Sequence, residues 1–285
     1  MFESIKLGIK EFKPAIFCAP MAGITHSAFR RLVADFGGYG ALFTEMLSAS
    51  SIPWETFENS TYVRKRECEG EVFYQLLLTG KENLKEVIRK VKSYQPAGLD
   101  INLSCSAWNV RRIKGGSSLL TDAGLLNKVL SEIRCLFEGP FTVKLRLGNE
   151  NSNWKEDLKK IAEIIKKVGV DGVILHPRFN NEKFRKYARY EVFDWAADIF
   201  GIPVIANGDI IAYSVIEEKK RFFRKTAGLM IGRMAIVKPW IFAEWQGKKM
   251  EINYGEVWLR LFNYVMDDFL PYKRLSRIKM FTEYY

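Results

Sequence analysis

Histidine is scarce in this 285-residue chain, which holds two, His26 and His176. Cysteine is nearly as scarce: Cys18, Cys68, Cys105 and Cys135 form no Cys-x-x-Cys pair. Protein zinc sites draw on clustered Cys and His, so this spacing speaks against a metal centre, and nothing suggests a secreted disulfide framework. The N-terminal MFESIKLGIKEFKP carries acids and no apolar core, which reads against a signal peptide. No run approaches the roughly 18 apolar residues of a membrane span. No Gly-x-Gly-x-x-Gly follows a strand-like segment, which excludes a Rossmann dinucleotide site. Gly37-Gly38-Tyr39-Gly40, the nearest approach, precedes a strand instead. Acids are in deficit, 33 against 44 Lys plus Arg, for a net charge of +11. Such an excess suits a polyanionic partner. With 48% hydrophobic residues the chain can bury a sizeable core. These figures describe a soluble, cytoplasmic, basic protein of one large domain, or a large one and a small one.

Short apolar runs recur along the chain: Ala15–Ala19, Ala41–Glu45, Val72–Leu77, Gly98–Asn102, Phe141–Arg146, Gly172–His176, Pro203–Asn207 and Gly228–Gly232. They read as strands buried on both faces. Amphipathic stretches separate them. In WKEDLKKIAEIIKKVG, Leu158, Ile161, Ile164, Ile165 and Val168 share one helical face, and Gly169 stands where a C-terminal cap belongs. Strand and helix in alternation predict an α/β fold of the (β/α)8 TIM-barrel class over residues 1–245. Residues 246–285 lack strand signals and predict a small helical domain whose pattern is still running at FTEYY.

Active sites of this fold lie at the C-terminal ends of the strands. Those ends carry Pro20-Met21, Glu45, Gln75, Asn102, Lys144 with Arg146, His176, Asn207-Gly208-Asp209 and Gly232-Arg233, and His26 is read onto the same rim. The loops after the seventh and eighth strands commonly hold phosphate through backbone N–H groups. Here they read NGDI and GRMA, and with no Rossmann motif present the phosphate-bearing cofactor expected is FMN. Lys144 at the mouth could stabilise negative charge on a reduced flavin. His176 could donate to a flavin carbonyl or to phosphate. Cys105 lies on the long loop after the fourth strand, with Arg111, Arg112 and Lys114 close behind, where a thiol can serve as a proton donor. RFNNEKFRKYARY (178–190) mixes five basic residues with four aromatics, a composition that grips RNA phosphates and stacks on bases.

The motifs APMAGITHSAFR (19–30), TEM (44–46), DINLSC (100–105), GGSSLL (115–120), VKLRLG (143–148), ANGDI (206–210) and IGRMA (231–235) resemble, in order and spacing, the tRNA-dihydrouridine synthase family. The resemblance covers residues 10–245. It implies an FMN-binding barrel, a helical RNA-binding domain at 246–285, and reduction of the uracil C5–C6 bond in tRNA with NADPH as reductant. By the same resemblance Pro20, Met21, Ala22, Gln75, Lys144 and His176 surround the flavin, and Asn207, Gly208, Asp209, Gly232 and Arg233 hold its phosphate. Asn102 places the uracil. Hydride passes from reduced FMN to C6, and Cys105 protonates C5. Arg178, Arg185, Lys186 and Arg189 are the expected RNA contacts. The expected partner is tRNA or another structured RNA, met by a monomer without metal or membrane. The family's Gly-Cys-Pro is Ser104-Cys105-Ser106 here, and its His-Gly-Arg is His176-Pro177-Arg178. Two other readings stay open: a small-molecule flavoprotein of the dihydroorotate or dihydropyrimidine dehydrogenase type, and a non-catalytic RNA-binding flavoprotein.

Overall fold

The computed structural model describes residues 2–182 and 186–285. An antiparallel hairpin, β1 (Ile5–Leu7) and β2 (Lys10–Phe12), precedes the barrel. The eight barrel strands follow: β3 (Ile16–Cys18), β4 (Leu42–Ser48), β5 (Val72–Leu77), β6 (Gly98–Leu103), β7 (Phe141–Arg146), β8 (Gly172–His176), β9 (Val204–Asn207) and β10 (Gly228–Ile231). All pair in parallel in the order β3-β10-β9-β8-β7-β6-β5-β4. The ring closes through Gly40 and Ala41, whose N–H and carbonyl bond Ile16 O at 2.8 Å and Cys18 N at 3.1 Å. This is the (β/α)8 barrel expected from the alternation.

Two strands of three residues carry too little pattern to be read from sequence, so the hairpin is visible only in the structure. It stops the N-terminal end of the barrel. Phe12 packs on Phe17 and Phe73 at ring distances of 6.0 and 5.2 Å, and Phe43 stacks on Phe73 at 4.8 Å. Gly98 and Gly172 open strands at this crowded end: a Cβ on Gly98 would sit 2.1 Å from the Phe73 ring, and one on Gly172 2.7 Å from Leu7. Aromatic packing therefore fills the bottom and leaves the top for polar groups.

The helix Trp154–Val168 buries Leu158, Ile161 and Ile165 and ends on Gly169 in the left-handed conformation, φ 79°. Beyond the helix Ile241–Trp245, Tyr254–Asp268 forms a helix packed on the helix Ser27–Phe36, and Pro271–Thr282 forms a second packed on Tyr254–Asp268. Phe29 meets Phe281 at 6.2 Å, and Arg31 lies 3.9 Å over the Tyr264 ring. Asp268 is buried and takes hydrogen bonds from Arg66 and Arg64 at 2.7 and 3.4 Å. Among the described residues no helix is long and apolar enough to cross a membrane.

Arg30 and Glu69 form a wholly buried ion pair at 2.6 Å under this contact. Glu69 also accepts from Ser27 Oγ at 2.6 Å and Arg66 N at 2.9 Å, and Arg30 donates to the Thr25 and Arg64 carbonyls. Removing one partner of such a pair strands the other charge out of water. Glu69→Ala should therefore cost about 3–5 kcal/mol, read as a lower urea midpoint at unchanged slope. An Arg30→Met/Glu69→Leu double variant should lose less.

Candidate functional site

A cavity of about 1020 Å³ opens at the C-terminal end of the barrel, and strand register decides what enters it. In β7, Lys144 and Arg146 are two residues apart and share the inward face with Thr142. Pairing sets Asp100 beside Gln75 and Thr142, and Asn102 beside Lys144 one step nearer the mouth. Gln75, Asn102, Lys144, Arg146 and His176 all line the cavity, as do Pro20, Met21 and Ala22 from the loop after β3. Asn207, Gly208, Asp209, Gly232 and Arg233 contribute from the far side, and Cys105 closes the near side.

Two strand-end residues go elsewhere. A register shift between Phe43 and Met46 in β4 places Met46 at the cavity, while Glu45 lies buried beneath the first loop, accepting from Gly23 N at 2.5 Å. His26 is not a mouth residue: its Nδ1 accepts from Phe29 N at 3.3 Å, capping a helix, and its ring abuts Phe269 at 4.8 Å. A cap needs only local sequence, whereas the neighbour across the ring comes from the far end of the chain.

The residues read as RNA contacts also divide. Arg178 is buried in the cavity wall, donating to Asp209, to the Lys186 carbonyl and, at 2.8 Å, to His176 Nε2. Arg189 is held by both oxygens of Glu182 at 2.7 and 2.6 Å, and Lys186 lies 3.7 Å from the same carboxylate, so neither borders the cavity. This carboxylate is itself pushed down to about 2, chiefly by the Arg189 hydrogen bonds. Arg185 lies outside the described residues.

The mouth is strongly cationic. Burial first, then the positive charge of Arg146, pushes Lys144 down to about 8, with Asp100 pulling the other way. Asp100, fully enclosed, is raised by burial to about 7 despite hydrogen bonds from Gln75 and Thr142. Burial and then the cations Lys144, Arg146, Arg178 and Arg233 hold His176 well below the usual imidazole range. His176 is thus neutral, and since a guanidinium can only donate, its Nε2 accepts from Arg178 and its proton sits on Nδ1. Asp209, at φ 48°, bridges Arg178 and Arg233, the latter at 3.3 Å. Gly208 has φ 112°, and a Cβ there would stand 2.7 Å from His176 Cδ2. Only glycine lets the backbone pass the imidazole at that point.

On the opposite side Asn102 Oδ1 accepts from Ser104 N at 3.1 Å and Cys105 N at 2.9 Å. Ser106 Oγ donates to the Asn180 carbonyl at 2.8 Å, tying the Cys105 loop to the loop after β8. Two guanidiniums beside an open glycine loop suit a phosphate, and the polar wall from Gln75 to Lys144 suits a ring bearing carbonyls. That donor set and volume fit FMN.

A family model for dihydrouridine synthase matches residues 17–265. The chain belongs to the dihydrouridine synthase family. It is 34% identical over 237 residues to a probable tRNA-dihydrouridine synthase of Helicobacter pylori, covering 82% of this chain and 70% of that one. It is 30% identical over 279 residues to one of Aquifex aeolicus, covering 95% and 81%. Among solved structures it resembles the old yellow enzyme of Trypanosoma cruzi, with TM-score 0.65, 9% identity, and coverage of 95% and 98%, a likeness of fold. The departures from the family motifs have local explanations. Ser106, in place of proline, supplies the hydroxyl that anchors the Cys105 loop. Pro177, in place of glycine, sits in a tight turn closed by Arg178 N and His176 O at 2.7 Å, where a fixed negative φ is suitable. Arg146 was readable as a site residue from its two-residue spacing to Lys144. Asp100 and Thr142 were not, because they act one layer below the mouth.

Lys144 provides a pH test of this charge arrangement. Its folded pKa lies below its ordinary value of 10.5, so the associated stability is present above that value and is lost as pH falls through about 8. Unfolding free energy should drop by up to about 1.4 kcal/mol per pH unit across this window. Lys144→Met should flatten the decline in denaturation series between pH 8 and pH 10.

Proposed function

We propose that this chain reduces uridine to 5,6-dihydrouridine in tRNA, in the cytoplasm, with FMN as resident cofactor and NADPH as reductant. The observation that carries the proposal is a single cavity joining a guanidinium–glycine pocket on β8–β10 to a cysteine held at its mouth by Asn102. The names of the relatives support the substrate. A net charge of +11 supports a polyanion as partner, and Arg111, Arg112 and Lys114 stand next to the reactive loop.

Arg178, Asp209, Gly208, Gly232 and Arg233 would hold the phosphate, and Gln75 and Lys144 the ring system. FMN, when bound, would supply hydride chemistry toward uracil C6, with NADPH as the reductant. Lys144 is charged below about pH 8 and offers compensation for negative charge arising in its vicinity. Neutral His176 adds no further repulsion among the guanidiniums, and its ring backs the Gly208 loop. Cys105 gives a proton to C5 and regains one from solvent, so hydride plus proton complete the saturated C5–C6 bond. Asn102 fixes the backbone that carries this thiol. Residues 246–285 serve as the helical RNA-binding part. Lys273, Arg274, Arg277 and Lys279 lie in its last helix, where Arg277 donates to the Gly23 carbonyl in the first cavity loop at 3.1 Å.

The purified protein should be yellow and release FMN on denaturation. Arg233→Ala should weaken FMN retention on the order of tenfold, the value of one charge-assisted hydrogen bond to phosphate. A colourless protein that takes up no added FMN would remove the basis of the proposal.

Two half-reactions measured separately test the role of Cys105. Cys105→Ala should bind FMN and be reduced by NADPH like the parent, yet reoxidation by tRNA should slow about 100-fold or more. Equal loss in both halves would reassign Cys105 to the architecture of the pocket. Mass spectrometry of dihydrouridine in the reacted tRNA identifies the product.

A further inference from the structure

Beneath the mouth, three side chains form a one-way chain of hydrogen bonds. Asp100 Oδ1 accepts from Thr142 Oγ1 at 2.7 Å and its Oδ2 accepts from Gln75 Nε2 at 2.7 Å. Gln75 Oε1 accepts from Asn102 Nδ2 at 2.9 Å, and Asn102 Oδ1 accepts from the Ser104 and Cys105 amides. All of Asp100, Gln75, Asn102 and Thr142 are buried. An amide side chain can point either way, since its oxygen and nitrogen have nearly the same shape. An ionised carboxylate cannot, because it only accepts. Asp100 therefore forces Gln75 to turn its nitrogen inward. That turns the Gln75 oxygen toward Asn102, and so turns the Asn102 oxygen toward the Cys105 loop.

We infer that Asp100 is a positioning residue, which through Gln75 fixes the orientation of Asn102 and thereby the backbone that presents Cys105. Asp100 does not border the cavity. Its action has a chemical consequence there. With both Asn102 acceptor positions taken by backbone N–H groups, the remaining Nδ2 hydrogen is what Asn102 can offer a substrate. A ring carbonyl, as in uracil, satisfies that donor; an exocyclic amino group does not. This last step rests on the proposed function, whereas the positioning of the Cys105 loop does not. Lys144 on β7 is the charged group acting on Asp100, and Gln75 and Thr142 face it with neutral donors. Protonation of Asp100, whose pKa burial raises to about 7, would supply a donor of its own and release the chain's direction. The comparison is therefore best made at pH 8.

The test uses full-length holoprotein with Cys68→Ser and Cys135→Ser, because both of those thiols are exposed. Asp100→Leu removes the acceptor. Asp100→Asn can keep its oxygen toward Gln75 while the Thr142 hydroxyl turns to accept. Alkylation of Cys105 by iodoacetamide should change severalfold in Asp100→Leu and stay within about twofold of the parent in Asp100→Asn. The tRNA half-reaction should slow about tenfold or more in Asp100→Leu, as expected for a buried amide left mispaired, and be restored to within about threefold by Asn. In an Asn102→Ala background, Asp100→Leu should cost less than about twofold further. Parent-like alkylation and tRNA rates in Asp100→Leu would overturn the inference. So would equal impairment in Leu and Asn, or full additivity with Asn102→Ala. If Asp100→Leu does not fold, Thr142→Val removes a donor that favours the ionised carboxylate and leaves both amides intact. It should stay parent-like at pH 9 but shift the same two readouts as pH falls toward 7, at a higher pH than in the parent. A pH dependence identical to the parent's would overturn the inference too. A parent that alkylates as expected but never reduces tRNA would defeat the functional reading and leave the positioning role standing.

Discussion

Positive charge held out of water at one end of a barrel is the constraint on which this structure turns. Lys144, Arg146 and Arg178 are all buried, with Arg233 beside them at the rim. Among the described residues the acids set near them include Asp209, Glu182 and Asp100, and Asp100 is itself raised toward neutrality by burial. Desolvated like charges repel strongly, and a protein tolerates them only where other contacts over-determine the geometry. Here that support is visible: Asp209 clamps two guanidiniums, His176 is kept neutral, and Lys144 loses part of its affinity for the proton. A mouth of this charge suits an anionic ligand.

The opposite end of the barrel makes this possible. Phe12, Phe17, Phe43 and Phe73 pack the bottom, so the interior below the polar layers is apolar and closed. Between the two ends lies the layer of Asp100, Gln75 and Thr142, where each polar atom in the chain of hydrogen bonds has a partner. Such a layer is costly if half satisfied and rigid if complete. Rigidity at that level reaches Cys105 through Asn102.

The C-terminal helices bind the first βα unit through Arg31 on Tyr264, Phe29 against Phe281 and the buried Asp268, reaching the cavity's first loop at Gly23. A Cβ on Gly23 would stand 2.3 Å from the Met280 sulfur, so the last helix lies directly on that loop. Polarity and a place near a strand end read His26 and Glu45 onto the mouth. A helix cap claimed the first and a shift of register in β4 took the second beneath the loop. Arg178 and Arg189, read as RNA contacts, are held by Asp209, 31 residues away in sequence, and by Glu182 of the same segment.

Sequence by itself determined the eight barrel strands, the helix ended by Gly169, the glycine-bearing loops after β9 and β10, and the place of Lys144 at the mouth. Each of these follows from a short-range rule: hydrophobic period, a left-handed cap, or alternation along a strand. Tertiary structure alone decided which polar residues meet. The hairpin that stops the barrel, the Arg30–Glu69 pair, the bridge of Asp209 between Arg178 and Arg233, and the line from Asp100 to Cys105 all join separate elements. The period of a strand tells which face a side chain occupies but not the register of its neighbour, and hydrogen bonds between strands are set by register.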